Sequence, residues 1–224
     1  MKEIMAGGQK VYLFGEDLGE KCPVIWLPVF SLEEGEKVRN LITGNCVLAC
    51  VEARDWNGDF SPWPAERIFK EGGDFLGNAG VYLKILEQKV ITEAEGKLKF
   101  PVADRGIAGY SMAGLFAVYC MYHSVIFQRI ASVSGSLWFD GWTEYALTSE
   151  PAIAKARIYL SLGDREHRTG NPRMAAVKEC TETLASFWAE RFQVVYEINK
   201  GGHFHQPEKR LARGIDLLLQ ENLV

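Results

Sequence analysis

The chain has 224 residues, 47% hydrophobic and 24% charged, which suits one compact domain with a sizeable core. Its net charge of -4, with no long basic run, argues against nucleic acid or an anionic membrane surface as a partner. Cys22, Cys46, Cys50, Cys120 and Cys180 are odd in number, form no CxxC pair and have no histidine at zinc-site spacing, so they read as reduced, mostly buried thiols. The first residues lack the apolar core of a signal peptide, and no apolar run reaches transmembrane length, so a cytoplasmic location is the default expectation.

In chain order, Val11 to Phe14 is a short strand, and Val24-Ile25-Trp26-Leu27-Pro28-Val29 is a stronger one. Glu33 to Leu41 reads as a short helix with Ser31 as N-cap. Cys46 to Val51 is continuously apolar, as in a strand buried on both faces. Residues 54–80 hold two prolines, five glycines and no clean period, and read as a long functional loop. Residues 80–95 look helical and stop at Gly96. Arg105 to Ala108 is a strand, and Leu115 to Tyr122 is an apolar helix after it. Arg129 to Ser134 and Arg157 to Leu162 are strands, each followed by glycine. Asn171-Pro172 opens a helix that runs to about Ala189. Gln193 to Ile198 is the last strand, and Pro207 opens the last helix. Strands alternating with helices imply one α/β domain, with a mainly parallel sheet covered by helices on both faces.

One stretch carries chemistry. Gly109-Tyr110-Ser111-Met112-Ala113-Gly114 joins the buried strand to the apolar helix, so a single serine sits on a sharp strand-to-helix turn. Such a turn crowds the residues two before and two after the serine, and Gly109 and Ala113 are both small. A serine there needs a base, and the base needs an acid to orient it. Both are expected at the carboxyl ends of later strands. Leu160-Ser161-Leu162-Gly163-Asp164 places Asp164 at one such end, with Glu166 two residues on as its alternative. Gly201-Gly202-His203-Phe204-His205 follows the last strand, which favours His203 as the base, with His205 as fallback. An oxyanion needs two backbone donors, and the N–H groups of Met112 and Phe30 are the candidates. Trp56 and Trp63, with Trp138 and Trp142, lie in two irregular segments that follow strands and are candidates for a substrate-pocket wall. Such a wall suits an aryl acyl group, a sugar ring or a plain acyl chain.

With GYSMAG at 109–114, SLGD at 161–164 and GGHF at 201–204 in this order, the chain resembles the putative-esterase branch of the α/β-hydrolases over roughly residues 11–220. That branch includes enterochelin esterase-like and feruloyl esterase-like serine hydrolases. The resemblance implies an α/β-hydrolase fold with little or no lid domain. It implies a small-molecule ester substrate and a Ser111, Asp164, His203 triad acting through an acyl-enzyme, with no cofactor and no metal. The sequence departs from the branch at Pro28-Val29-Phe30, which lacks the glycine often found in the oxyanion loop. Two other readings share the fold: an acyltransferase using the same triad, and a non-catalytic binding protein.

Overall fold

In the computed structural model, residues 1–18, 21–68 and 72–220 are described. Eight strands form one sheet: β1 (Lys2–Ala6), β2 (Gln9–Phe14), β3 (Cys22–Val29), β4 (Val47–Glu52), β5 (Val102–Tyr110), β6 (Phe127–Val133), β7 (Arg157–Gly163) and β8 (Gln193–Asn199). Their spatial order is β1-β2-β4-β3-β5-β6-β7-β8. β1 and β2 pair antiparallel, as do β2 and β4; every other pairing is parallel. This is the expected α/β-hydrolase architecture.

The strand β1 was not expected from sequence. It folds back on β2 through Gly7 and Gly8, at φ +56° and +78°, a left-handed pair that suits a two-residue hairpin. The stretch 54–80 is not structureless. Asp55 caps a single helical turn, Trp56–Asp59, by accepting the Gly58 N–H at 3.0 Å, and Pro64–Ala65 pairs with Phe75–Leu76. Residues 69–71 of that stretch lie outside the described residues.

Helices cover both faces. On one lie α1 (Leu32–Arg39) and α6 (Pro207–Leu219), packed over Ile25, Leu27, Leu48, Ala131 and Tyr159. On the other lies α2, which runs Ala79–Ile85, through a π-helical stretch Leu86–Ile91, to Thr92–Glu95. Beside it are α3 (Met112–His123), α4 (Trp142–Thr148) and α5 (Val177–Ala189). Every residue of α3 from Met112 to Tyr122 is buried, so this helix is apolar all round and its start is rigidly held. Asn171 caps the turn Pro172–Ala175 just before α5, accepting the Arg173 N–H at 3.0 Å.

Because β3 and β5 to β8 run parallel, the segments after them emerge at one edge of the sheet. Those segments carry Phe30, Ser111, Ser134, Glu166 and His203. Distant parts of the chain thus meet there, at the edge where open α/β sheets hold their ligands.

Candidate active site

Ser111 stands between β5 and α3 at φ +57°, ψ -120°, a conformation rarely adopted by a side-chain-bearing residue. Two neighbours pin it. The Ser111 N–H donates to the Val133 carbonyl at 3.2 Å, and the Ser136 N–H donates to the Ser111 carbonyl at 3.0 Å. A Cβ on Gly109 would run into the backbone of Ala113, so the turn requires glycine there. Ala113 is itself fully buried.

His203 lies in the segment after β8, and its ring reaches both ways. Its Nε2 is 3.1 Å from Ser111 Oγ, and its Nδ1 is 2.7 Å from Glu166 Oε2. An ionised carboxylate only accepts, so Nδ1 carries the proton and Nε2 is the acceptor facing the serine hydroxyl. The Tyr110 hydroxyl donates to the His203 carbonyl and holds the segment to the end of β5. The fallback His205 is exposed, and its backbone N–H donates to the Gly202 carbonyl at 3.1 Å.

The carboxylate that meets the imidazole is Glu166, the alternative, and not the favoured Asp164. The chain turns at the end of β7, where the Glu166 N–H donates to the Gly163 carbonyl at 3.2 Å. That turn brings residue 166 back over the strand end and sends Asp164 toward β8. Asp164 Oδ1 accepts the Gly201 N–H at 2.8 Å, and its side chain is 48% exposed. It braces the histidine segment from outside.

Glu166, by contrast, has a side chain 3% exposed. Its Oε1 accepts from Ser134 Oγ at 2.7 Å, from the Gly163 N–H at 2.6 Å and from Arg210 Nη1 at 3.0 Å. Burial pushes its pKa up, but the bonds from His203, Ser134 and Gly163 outweigh burial and hold it below the ordinary carboxylate value. Sequence reasoning missed Arg210 and Ser134. Arg210 is a buried arginine on α6, and Ser134 sits at φ +48° just after β6.

The two expected oxyanion donors are in different states. Met112 begins α3, where N–H groups have no acceptor within the helix. The Phe30 N–H is engaged by Glu34 Oε2 at 2.7 Å. Ser31 caps α1 by accepting the Glu34 N–H, and the Glu34 side chain folds back past Ser31 to Phe30. Burial pushes the Glu34 carboxyl above its ordinary pKa, with Glu208 adding to that and Lys37 and the Phe30 N–H opposing it.

Ser111 and His203 open into a cavity of about 860 Å³. Phe30, Trp56, Phe75 and Trp138 form an aromatic wall, with Phe30 and Trp56 stacked at 3.9 Å. Arg67, Arg165 and Arg168, all exposed, stand around it. The four tryptophans therefore divide. Trp56 and Trp138 line the cavity, whereas Trp142 is fully buried in the core, packed on Tyr122 and Tyr145. Trp63 donates from its indole to the Asp140 carbonyl at 2.8 Å and packs on Phe139 and Tyr145, outside the cavity lining. The aromatic density that suggests a pocket wall from sequence is half core: large rings in irregular segments also serve to seal them onto α3 and α4.

Among the described residues, no group of three or more His, Cys, Asp or Glu is placed to hold a metal ion. Among the same residues, no helix is long and apolar enough to cross a membrane.

A protein-family model described as "Putative esterase" matches residues 46–206. A curated relative, the uncharacterized protein YbbA of Bacillus subtilis (strain 168), is 25% identical over 166 residues. That alignment covers 71% of this chain and 66% of the relative, just under two thirds of its length. Among solved structures, an IroE-like serine hydrolase from Shewanella oneidensis superposes with a TM-score of 0.77 at 15% identity, covering 94% of this chain and 75% of that one. The siderophore hydrolase EstA from Aspergillus nidulans gives 0.72 at 17% identity, covering 94% of this chain and 89% of its own. With the family model spanning well over half of the residues, the chain belongs to the family described as "Putative esterase".

Proposed function

We propose that the protein is a serine-type carboxylic ester hydrolase that works through an acyl-enzyme on Ser111. One observation carries this reading: the unbroken line of hydrogen bonds from Ser111 Oγ through His203 to the buried Glu166. His203 Nε2 takes the hydroxyl proton as Ser111 Oγ attacks the ester carbonyl. Glu166 fixes the tautomer and balances the imidazolium that forms. The oxyanion lies at the start of α3, against the Met112 N–H and the positive end of the helix. The Phe30 N–H joins it when Glu34 releases that donor. As the tetrahedral intermediate collapses, the imidazolium gives its proton to the leaving alcohol. Water then attacks the acyl carbonyl as it loses a proton to His203, and the imidazolium returns that proton to Ser111 Oγ as the acid leaves.

The substrate class follows from the cavity. Phe30, Trp56, Phe75 and Trp138 favour an aromatic acyl or alcohol part, and the three arginines favour one carrying negative charge. The likeness to a siderophore hydrolase makes siderophore esters the first compounds to test, and the aromatic wall puts aryl esters beside them.

The test is labelling with a fluorophosphonate, mapping of the adduct, and turnover of those esters. The reading expects an adduct on Ser111 that disappears in Ser111→Ala and in His203→Ala, both with melting temperatures close to wild type. A folded protein that takes no label, or Ser111→Ala with undiminished turnover, would refute it.

A further inference from the structure

Glu166 is charged and buried, and burying a carboxylate costs several kcal/mol unless it is paired. The cation bonded to it is Arg210, whose side chain is 4% exposed. Arg210 does more than pair. Its Nη1 lies 3.0 Å from Glu166 Oε1 and 3.0 Å from Ser134 Oγ. Its Nη2 donates to the carbonyls of Lys200 and Gly202, each at 3.2 Å. Those two carbonyls flank Gly201, which sits at φ +111° and starts the segment that carries His203. One guanidinium on α6 therefore ties the acid to the loop of the base. A planar fork with five donors can do this, whereas a point-charge ammonium cannot reach all four acceptors at once.

The charge matters as well as the fork. Tyr110 on β5 and Tyr196 on β8 are titratable groups that also face Glu166. Burial pushes both phenols up, Tyr196 to about 12, so neither carries charge at neutral pH. Arg210 is thus the permanent charge in contact with the His203–Glu166 pair, and it shares the carboxylate with the imidazole.

We propose that Arg210 is a positioning residue for ester hydrolysis, holding Glu166 and the His203 segment in one frame and sharing the carboxylate's charge with the imidazole, so that it sets the acid limb of the rate profile. This rests on the reading of Ser111, His203 and Glu166 given above. Without the guanidinium, the carboxylate's charge falls on the imidazole alone. The pair then takes up its proton at higher pH, whichever member carries it. Only the neutral imidazole accepts the serine proton, so the acid limb of the rate profile moves up.

The test compares Arg210→Met and Arg210→Lys with wild type in kcat/KM for an aryl ester across pH 4–9, alongside melting temperatures and fluorophosphonate labelling. In folded Arg210→Met, the acid limb is expected to rise by about half a pH unit or more, with kcat down about tenfold or more. In Arg210→Lys, the limb stays and kcat falls, because charge is kept and the fork is lost. A purely structural role would lower stability in Arg210→Met and leave the limb unmoved, which would overturn the proposal. Should Arg210→Met not fold, Arg210→Lys decides, since wild-type kcat there would overturn the positioning role. Failure of the underlying reading looks different, because wild type itself would then take no label on Ser111.

Discussion

Exchanging each of the two carboxylates near the end of β7 for its amide separates their roles. In Glu166→Gln the shape is kept. Three donors converge on Oε1, from Ser134, Gly163 and Arg210, and a single one, the His203 Nδ1–H, meets Oε2. The amide oxygen of the new side chain must take the Oε1 place, because an NH2 there would face three donors. Its NH2 then points at His203. To accept it, the imidazole must carry its proton on Nε2, which leaves no acceptor for the Ser111 hydroxyl. A wrong tautomer of this kind costs about 10⁴-fold in kcat in the Ser-His-Asp template, or roughly 5.5 kcal/mol of barrier. The Asp164 carboxylate accepts the Gly201 N–H at 2.8 Å and pairs loosely with Arg165 at 3.7 Å, from a half-exposed position. Asparagine still offers an oxygen there, so Asp164→Asn puts at risk about 1 kcal/mol, less than tenfold in rate. The expected ratio between the variants is on the order of 10³. Steady-state kinetics on one aryl ester, with melts to show that both proteins fold, measures it. An Asp164→Asn loss equal to or larger than that of Glu166→Gln would refute the assignment of Glu166 and the tautomer reasoning with it.

Other consequences follow from the same contacts. Trp142→Ala empties a fully buried site and is expected to cost about 3–5 kcal/mol in urea unfolding, while Trp138→Ala changes KM for aryl esters with little loss of stability. Gly109→Ala forces a methyl into the Ala113 backbone, so it is expected to abolish turnover, read by loss of fluorophosphonate labelling. Glu34 and Glu166 give opposite pH signatures in thermal melts. The Glu166 pKa is lowered in the fold, so its stabilisation is present above the unfolded value and lost as pH falls through the folded one; Glu166→Gln therefore removes that acid-side loss. The Glu34 pKa is raised, so wild type loses stability as pH rises through it, and Glu34→Gln is expected to gain on wild type over that rise. Glu34→Ala removes the acceptor itself and frees the Phe30 N–H, so it is expected to raise kcat at pH 8 in steady-state assays, and a kcat no higher than wild type would count against this donor in turnover.

What the sequence makes legible is what local sterics dictate. Gly109, Ser111 and Ala113 announce the turn because a tight strand-to-helix junction tolerates only small flanking residues, and His203 stands out as one of four histidines, following a glycine pair at a strand end. The hairpin at Gly7-Gly8 was equally readable; its strand β1 escapes notice because only Ala6 of its five residues is buried. The preference for Asp164 over its alternative Glu166 fails for a different reason. Strand ends are read one residue at a time, but the contact is set by a turn from Gly163 to Glu166 that swaps which carboxylate faces inward, and the two candidates differ by two positions. Arg210 was invisible because an arginine on a terminal helix reads as a solvated residue. One signal was there: Arg210 is followed at i+4 by Gly214 and at i+7 by Leu217, both buried, so it belongs to the inner side of α6 rather than its polar face. A charged residue in phase with a buried stripe must find a counter-charge inside, and here that counter-charge is the carboxylate orienting the histidine. The inward-facing charge on the last helix and the carboxylate after β7 therefore need each other, since neither can be buried ionised alone.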